Sequence, residues 1–352
     1  MRRFVIFGAV FILVYVIIAA LPLNSEFSID TEYTINLDDT QNVAEAAAET
    51  GEEIYPFRLK NYCGYFTPDG KLVSLQAVPY KATICDSFYS LYSADAENIS
   101  ITNSSGKEQT VLRTAGFPFL QNNRIFVFAP GGNSVAEYTS TGAKRWVYEG
   151  YNPITAFNSS QKGAVIGFAD GELVCLAPNG DQRFSFNPGG SNYEVIFGAD
   201  IAKKANLFAC LSGIDQQRFL LCSFENSQHK VIFHEFLEKN YKNQAFVHFS
   251  DDSNTVYFQY AGGLGVVDCQ NLQSEHIAVK GDIMQIAEIK NSDITLVLTK
   301  LNSNFYVYLL ENTKNLIGDF SFPAESAFIL GGDSCFFVGH DDKISKMSIT
   351  RK

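Results

Sequence analysis

Residues 138–150 read YTSTGAKRWVYEG and contain Trp146, the only tryptophan in the chain of 352 residues. The tryptophan follows the pair Thr141-Gly142 and starts an alternation of large side chains that continues at Tyr148. Glycine tolerates the positive φ that a tight turn between strands requires. The stretch therefore predicts a strand, a turn and a second strand whose first large side chain is Trp146.

The same arrangement recurs in the next stretch, residues 164–186, which read AVIGFADGELVCLAPNGDQRFSF. An Asp-Gly pair ends at Gly171 and an Asn-Gly pair ends at Gly180, and such pairs between β-rich segments are strong hairpin signals. Phe184 follows Gly180 at the same distance at which Trp146 follows Gly142. We conclude that one structural unit is repeated.

Six such units follow one another with a spacing of about 40 residues, and each contains up to four short apolar strands. This period is typical of the blades of a β-propeller. The units cover residues 116–150, 152–189, 193–238, 244–280, 284–322 and 325–350.

The beginning and end of the repeat region decide the number of blades. The last unit lacks an obvious fourth strand, and a strand near residues 54–59 would supply it and close the ring. Residues 55–115 must hold at least one further blade, with a hairpin at residues 68–70. We expect an all-β propeller of seven four-stranded antiparallel blades. Eight blades are the alternative, because residues 55–80 are hard to assign to a blade.

The N-terminal segment differs from the repeats. After Arg2 and Arg3, residues 4–23 are apolar without interruption, which is long enough to span a bilayer. We therefore expect residues 1–23 to form a single-pass signal anchor with a cytoplasmic N-terminus and an exported C-terminal part. A cleaved signal peptide is the alternative. Residues 24–54 hold nine acids and no Lys or Arg, so they are expected to form an acidic tether before the propeller at 55–352.

The charge of the chain bears on its partners. The formal net charge is −11, and the basic residues form no run longer than a pair such as Arg2-Arg3. Binding of nucleic acid depends on basic residues that neutralise phosphates. The composition therefore argues against a nucleic-acid partner.

The unit around Thr141-Gly142 and Trp146 resembles the repeat of quinoprotein-type (PQQ-like, WD40-like) β-propellers, in which a Thr-Gly turn precedes a tryptophan that docks on the neighbouring blade. The resemblance implies a structural docking role for Gly142, Trp146, Gly180 and Phe184. The alternative for Trp146 is an exposed anchor for a partner, since tryptophan is common at interface hot spots.

This family includes quinone-dependent dehydrogenases and the propeller component of outer-membrane barrel assembly. The dehydrogenases are much longer and use a calcium site and an adjacent cysteine pair, which this sequence lacks. The assembly propeller is closer in size, although its lipid-attachment cysteine has no counterpart here. The resemblance therefore implies the repeat type and no quinone cofactor.

Side chains that carry chemistry are scattered. The seven cysteines form no CxxC pair and the five histidines form no metal-binding pattern, so neither set predicts a metal site. Most of the cysteines lie within predicted strands, where they act as small hydrophobic residues. The alternative is one bridge in an oxidising compartment, for which Cys63 and Cys85 are the first pair to test because both lie in the first predicted blade. No catalytic motif is present, and we expect no catalytic residue, no metal and no cofactor.

These features predict a membrane-tethered, non-catalytic scaffold on the exported side of a membrane that binds another envelope protein or complex. Propellers present broad, loop-rich faces that suit protein recognition. The alternative function is an enzyme or a small-molecule sensor that uses the central channel of the propeller.

Overall fold

The computed structural model describes residues 27–38 and 53–351, and the three isolated positions Gly8, Phe11 and Tyr15. The 31 strands in this part of the chain form eight antiparallel sheets, which are the blades of a β-propeller. The first half of the chain contributes β1 (Phe27–Asn36), β2 (Tyr55–Arg58), β3 (Tyr62–Phe66), β4 (Leu72–Ala77), β5 (Lys81–Ile84), β6 (Phe88–Tyr92), β7 (Ile99–Asn103), β8 (Glu108–Leu112), β9 (Phe117–Gln121), β10 (Arg124–Phe128), β11 (Ser134–Tyr138), β12 (Lys144–Glu149), β13 (Ile154–Ser160), β14 (Gly163–Phe168), β15 (Leu173–Leu176) and β16 (Gln182–Phe186).

The second half continues the same order from inner to outer strand in each blade. It contributes β17 (Ile196–Ile201), β18 (Leu207–Ser212), β19 (Arg218–Glu225), β20 (Gln228–Phe236), β21 (Val247–Phe249), β22 (Thr255–Tyr260), β23 (Gly263–Asp268), β24 (Gln273–Ile277), β25 (Asp282–Glu288), β26 (Ile294–Leu301), β27 (Asn304–Glu311), β28 (Asn315–Pro323), β29 (Ala327–Gly331), β30 (Cys335–His340) and β31 (Lys343–Arg351).

We number the blades from 1 to 8 by their inner strand. Blade 1 is the three-stranded sheet β2–β3–β4, and blades 2 to 7 each consist of four consecutive strands, from β5–β8 to β25–β28. Blade 8 consists of β29, β30 and β31 with β1 as its outer strand.

Stacking of the blades accounts for the apolar strands. In blade 4 the middle strands β14 and β15 are buried at every position, because the neighbouring blades cover both faces. The outer strand β12 of blade 3 instead buries Trp146 and exposes most other positions. One apolar cluster joins Cys175 of blade 4 to Phe208 and Leu220 of blade 5. The core therefore lies between the blades as a ring of interfaces.

The prediction of seven blades is wrong, because residues 55–115 form two sheets. Blade 1 ends at Ala77 and blade 2 begins at Lys81, so only three residues separate them. The first strands of the two sheets, β2 and β5, are four residues long, and so short a strand carries little periodicity in sequence. The alternative of eight blades is the one that the structure contains.

The ring closes through β1, which pairs with β31 along its whole length, from Phe27↔Arg351 to Asn36↔Lys343. Residues 27–36, which the sequence placed in the acidic tether, thus belong to blade 8. The strand that we expected to close the ring near residues 54–59 is β2, which pairs with β3 in blade 1. In β1 apolar side chains alternate with acids such as Asp30 and Glu32, and the acids concealed the strand.

The predicted membrane anchor requires correction. In the part of the chain that the structure describes, no helix is long and apolar enough to cross a membrane. The apolar stretch at residues 4–23 lies outside the described residues except at Gly8, Phe11 and Tyr15. We therefore withdraw the single-pass anchor and the localisation that followed from it.

Candidate functional site

The two ends of the propeller differ in what they expose. At one end, short turns join each inner strand to the second strand of its blade, and these turns are rich in charged and polar residues such as Lys203 and Asp252. At the opposite end lie the loops that lead from one blade to the next and the loops that join the second strand of a blade to the third. Over blades 4 and 5 these loops contact one another, and we call them the loop platform: residues 150–153, 169–172, 187–195, 213–217 and 237–246.

Side-chain amides and carboxylates join the blade 4 part of the platform. Asn152 Nδ2 donates a hydrogen bond to Asp170 Oδ2 at 2.6 Å, which ties the first two loops together. Asn187 Nδ2 donates to Glu194 Oε2 at 3.0 Å and so braces the third loop internally. Gly171 packs closely on Glu194, since a Cβ at that glycine would lie 2.3 Å from the Cβ of Glu194.

Asp215 connects the third loop with the fourth and the fifth. Its carboxylate accepts hydrogen bonds from Asn192 through the backbone N–H (3.0 Å) and Nδ2 (2.6 Å), and from the Ser191 hydroxyl. The Asp215 carbonyl accepts a further bond from Asn240 Nδ2 at 2.9 Å. The hydrogen bonds from Ser191 and Asn192 hold the pKa of Asp215 well below its usual range. The carboxylate is thus ionised and ordered at neutral pH.

The Gln217 side chain is hydrogen-bonded to the fifth loop. Its side chain is fully buried and forms two bonds with Tyr241: Nε2 donates to the Tyr241 carbonyl (2.9 Å), and Oε1 accepts from the Tyr241 N–H (2.8 Å). The Tyr241 hydroxyl donates to Asp282 of blade 7 at 2.7 Å. The platform is therefore anchored to its neighbours as well as within itself.

Large apolar side chains project from this ordered framework. Tyr151 is fully exposed and Tyr193 is 67% exposed, although tyrosine side chains usually bury much of their ring. Ile214 and Phe236 are about half exposed, and the Ile214 N–H donates to the Tyr193 carbonyl at 3.0 Å. Exposed tyrosines are enriched at protein–protein interfaces.

The central channel is the other candidate site. Inner strands of blades 3 to 7 and the loop before β21 line a cavity of about 480 Å³. Its polar lining consists of four amides and one imidazole, those of Gln121, Asn158, Gln244, Gln285 and His248.

Several polar side chains near the channel bond the backbone of the neighbouring inner strand. Gln121 Oε1 accepts from the Ser159 N–H at 3.0 Å, and Gln285 Oε1 accepts from the Ile329 N–H at 3.1 Å. Asp200 Oδ2 accepts from the Phe249 N–H at 2.7 Å. An inner strand has a free edge toward the channel, so these bonds satisfy N–H groups that would otherwise lack a partner.

Asp200 and His248 form the one close acid–imidazole pair near the channel in the part of the chain described, with 3.6 Å between Oδ2 and Nδ1. Burial raises the pKa of Asp200 to about 7, opposed by the hydrogen bonds from the N–H groups of Phe249 and Ile201. Burial also lowers the pKa of His248 to about 4. Both shifts disfavour charge, and the pair fits a structural role between blades 5 and 6.

The described residues contain neither a metal-binding cluster nor a disulfide. No group of three or more His, Cys, Asp or Glu side chains in that part of the chain could hold a metal ion. All seven cysteines are free, Cys63 and Cys85 included. Cys63 lies in β3 of blade 1 and Cys85 follows β5 of blade 2, which places them in different sheets. Burial raises the pKa of the Cys63 thiol to about 11, which makes it unreactive.

The four residues expected to dock blades lie at blade interfaces. Trp146 in β12 is 7% exposed, and Gly180 of the next blade sits against it: a Cβ at Gly180 would lie 2.3 Å from the indole ring. Phe184 in β16 packs on blade 5, with ring centroids 5.4 Å from Phe208 and 4.7 Å from His229. Their contribution to stability remains a prediction.

Gly142 repeats this contact one blade earlier. Its φ is +85°, and a Cβ there would lie 2.6 Å from Thr110 Oγ1 in β8 of blade 2. Gly142 and Gly180 thus occupy equivalent turns, each pressed on the outer strand of the preceding blade.

A buried ion pair next to Trp146 was not predicted. Glu137 in β11 is 1% exposed, and its carboxylate accepts from Arg124 Nη2 (2.7 Å) and from the indole N–H of Trp146 (2.6 Å). Arg124 also donates to the carbonyls of Ser160 (2.8 Å) and Gly163 (3.0 Å) in blade 4. The network therefore links the two blades that Trp146 joins. Its only sequence signal was an acid at an inward position of β11.

Comparison with known proteins agrees with this fold. A family model described as a β-propeller protein matches residues 1–352. An uncharacterized protein of Treponema pallidum (strain Nichols) is 31% identical over 352 residues, which cover 98% of this chain and 93% of the relative.

Two solved structures are similar in fold. BamB from Moraxella catarrhalis matches with a TM-score of 0.57 and 12% identity over 91% of this chain and 100% of its own. The computationally designed Ika8 protein matches with a TM-score of 0.58 and 14% identity over 84% of this chain and 96% of its own. The expected distant likeness to the barrel-assembly propeller is thus confirmed for the fold.

Proposed function

The chain belongs to a family of β-propeller proteins, and from this premise we propose that it is a non-catalytic scaffold that binds a partner protein through its loop platform. The proposal depends on one observation above all: Tyr151, Tyr193 and Ile214 are exposed on loops that are hydrogen-bonded to one another, and Phe236 is exposed at the end of β20, where the fifth loop begins. A tyrosine has two side-chain torsions, and a rigid loop leaves little further entropy to lose on binding.

The side-chain hydrogen bonds near the channel favour a scaffold function and not a catalytic one. Gln121, Asp200 and Gln285 each accept a backbone N–H of the adjacent blade. A catalytic acid or base needs to reach a substrate proton, whereas these acceptor atoms hold the ring together. Thiols such as Cys175 are buried, and burial raises its pKa to about 12, so a nucleophilic role is disfavoured.

Site-specific photo-crosslinking tests the platform directly. A photoreactive amino acid would replace Tyr151 or Tyr193, one at a time, in the full chain expressed in its native cells. Because both side chains are exposed, neither replacement should change the melting temperature. We expect each to give the same discrete protein adduct, identified by mass spectrometry.

The matched controls use the opposite end of the propeller. The same photoreactive residue at Lys204 or Asp252 should give no such adduct. The variant Asp215→Ala removes the carboxylate that joins the third loop to the fourth, and it should weaken the Tyr193 adduct while the propeller remains folded. Adducts from Lys204 and Asp252 alone, or none from either tyrosine position, would refute the platform as the binding surface.

A further inference from the structure

Acidic side chains lie among the exposed apolar side chains of the loop platform. The first four of its five loops contain four carboxylates and no Lys, Arg or His. We call these carboxylates the acidic row: Asp170, Glu172, Glu194 and Asp215. The fifth loop differs, because it contains one acid and two bases, Glu238, Lys239 and Lys242. The negative charge is thus concentrated on the part of the platform that also exposes both tyrosines.

Each exposed tyrosine has a carboxylate beside it. Tyr151 precedes Asn152, whose Nδ2 donates a hydrogen bond to Asp170 Oδ2 at 2.6 Å. Tyr193 directly precedes Glu194 in the third loop. The two tyrosines are exposed, and so a ligand that covers either ring also meets a carboxylate.

The chain itself does not compensate the charge of the acidic row. In the part of the chain that the structure describes, none of the four carboxylates forms an ion pair. Their side-chain partners are neutral, as Asn192 is for Asp215. At the opposite end of the propeller, by contrast, Asp251 is paired with Lys203 at 2.6 Å. A carboxylate has about four acceptor positions, so the acidic row retains both charge and acceptor capacity for donors from outside.

Arg218, which follows the fourth loop, shows how a guanidinium is held at this surface. Its Nη2 donates to the Pro188 carbonyl, and its Cζ lies 5.6 Å from the centre of the Phe236 ring. The group thus combines a hydrogen bond to an oxygen atom with stacking on an aromatic ring. Among the described cations, none stacks on Tyr151 or Tyr193. These two rings, with their carboxylates, offer the same combination to a guanidinium from outside.

We propose that the partner protein of the loop platform presents arginine side chains next to apolar ones, and that these arginines stack on Tyr151 and Tyr193 while they bond the acidic row. The inference rests on the proposed function, since it assigns the chemistry of the partner at the same surface. A guanidinium fits better than an ammonium group, because it is planar, donates in pairs to a carboxylate and stacks on rings. One exposed ion pair contributes little, so the four charges are expected to act together.

Three fluorescein-labelled peptides test this chemistry on the purified full chain by anisotropy: GRLGRLGRLG, GKLGKLGKLG and GELGELGELG. They share their leucines and their spacing and differ only in the charged group. We expect the arginine peptide to bind about threefold tighter than the lysine peptide and the glutamate peptide not to bind. Its affinity should fall as the salt concentration rises. Equal affinities of the arginine peptide and either other peptide, or no binding of the arginine peptide, would overturn the proposal.

Two variants with the same net charge locate the binding. The platform variant converts the acidic row into amides: Asp170→Asn, Glu172→Gln, Glu194→Gln and Asp215→Asn. The control variant makes the same change of charge in turns at the opposite end: Asp86→Asn, Asp252→Asn, Asp293→Asn and Asp333→Asn. We expect the arginine peptide to bind about tenfold more weakly to the platform variant and to change less than about twofold with the control. Equal weakening would show attraction by net charge alone and would overturn the proposal.

Replacement of the two rings tests the stacking and still decides if the platform variant fails to fold. Tyr151→Leu with Tyr193→Leu keeps apolar side chains at two exposed positions, so the fold should not change. The double variant should bind the arginine and lysine peptides equally, because the preference for guanidinium depends on the rings. An unchanged preference for arginine would overturn the proposed stacking.

The native partner separates this inference from the proposed function. In the photo-crosslinking experiment, the partner segment joined at position 193 should contain arginine, and the adduct should be lost in the platform variant and kept in the control variant. A joined segment without arginine, or an adduct that the platform variant retains, would overturn this inference and leave the platform as the binding surface. An adduct between two copies of the chain would overturn the choice of a different partner protein. Absence of an adduct from both tyrosine positions would refute the proposed function itself.

Discussion

Blades 1 and 3 have the same turn before their outer strand and differ in the side chain that follows it. The turn of blade 1 presents Gly70 (φ +92°) and packs on Tyr33 of β1, and the turn of blade 3 presents Gly142 (φ +85°) and packs on Thr110 of β8. Four residues after the glycine, blade 3 carries the buried Trp146 in β12, whereas blade 1 carries Ser74 in β4.

The difference shows how the blades are held together. The inner ring is satisfied by single hydrogen bonds between polar side chains and the backbone, and these contribute about 1 kcal/mol each. The outer strand adds apolar packing on the next blade, as Trp146 does with Gly180. Blade 1 lacks this apolar contact because Ser74 stands at the equivalent position, and no described atom lies within 4 Å of a Cβ built on Gly106 in the next blade.

The largest effect is expected at Trp146. Replacement by Ala removes a buried indole from the interface of blades 3 and 4, and should lower the free energy of unfolding by about 3–5 kcal/mol. Denaturant unfolding followed by circular dichroism measures this. The matched control is Val147→Ala on the exposed side of the same strand, with a loss of less than about 0.5 kcal/mol.

Fluorescence of the unaltered chain checks the same point. Trp146 is the only tryptophan, so its emission should be blue-shifted in the folded protein and move to the red in denaturant. Red emission from the folded protein, with no loss of stability in Trp146→Ala, would favour the alternative of an exposed anchor.

The buried pair next to Trp146 should give the next effect. Glu137→Gln keeps an acceptor for the indole N–H but leaves the Arg124 guanidinium without its counter-charge in a largely buried position. Loss of one partner of a buried pair should cost about 3 kcal/mol. Adding Arg124→Met should recover part of that loss, because the uncompensated charge is then gone. A double variant less stable than Glu137→Gln alone would contradict this explanation.

Gly180 and Gly106 allow a direct comparison of the two turns. Gly180→Ala and Gly106→Ala place a Cβ at nearly the same positive φ, which costs about 1 kcal/mol at each site. At Gly180 the new methyl also meets the Trp146 ring, which adds about 1–2 kcal/mol. Thermal unfolding should therefore show a larger loss for Gly180→Ala. Equal losses would mean that the two turns are not different.

The sequence predicts the blades better than it predicts the contacts between them. Turns ending at Gly142 and Gly180 mark units whose strands are local hairpins, and these six units appear as expected. β1 was missed because acids such as Asp30 alternate with its apolar residues, and its partner β31 lies at the other end of the chain. The platform was missed for a related reason. Asp215 is hydrogen-bonded to residues in two other loops, and no local sequence pattern predicts such a contact.

The smallest effect concerns pH and two backbone N–H groups, those of Phe249 and Lys60, which are bonded by side chains of different chemistry. The Phe249 N–H is bonded by the Asp200 carboxylate, whereas the Lys60 N–H is bonded by a neutral hydroxyl. Burial raises the pKa of Asp200 to about 7, above its ordinary value of 3.8. The folded state therefore binds more protons than the unfolded state between pH 4 and 7, and Asp200 makes stability fall as pH rises through that range.

His248 acts in the opposite direction. Its pKa is lowered to about 4 from 6.5 by burial, so the unfolded state binds more protons in that interval and stability falls as pH decreases. In the unaltered chain the two slopes oppose each other. Asp200→Asn keeps an acceptor for the Phe249 N–H and should expose the histidine slope, a loss of about 1 kcal/mol between pH 6.5 and 4.5, since the imidazole is partly open to the channel. His248→Gln should show the reverse slope, and Ser326→Ala should leave the pH profile of stability unchanged. Parallel profiles for all three variants, obtained by urea unfolding at each pH, would mean that the pair does not titrate as the geometry predicts.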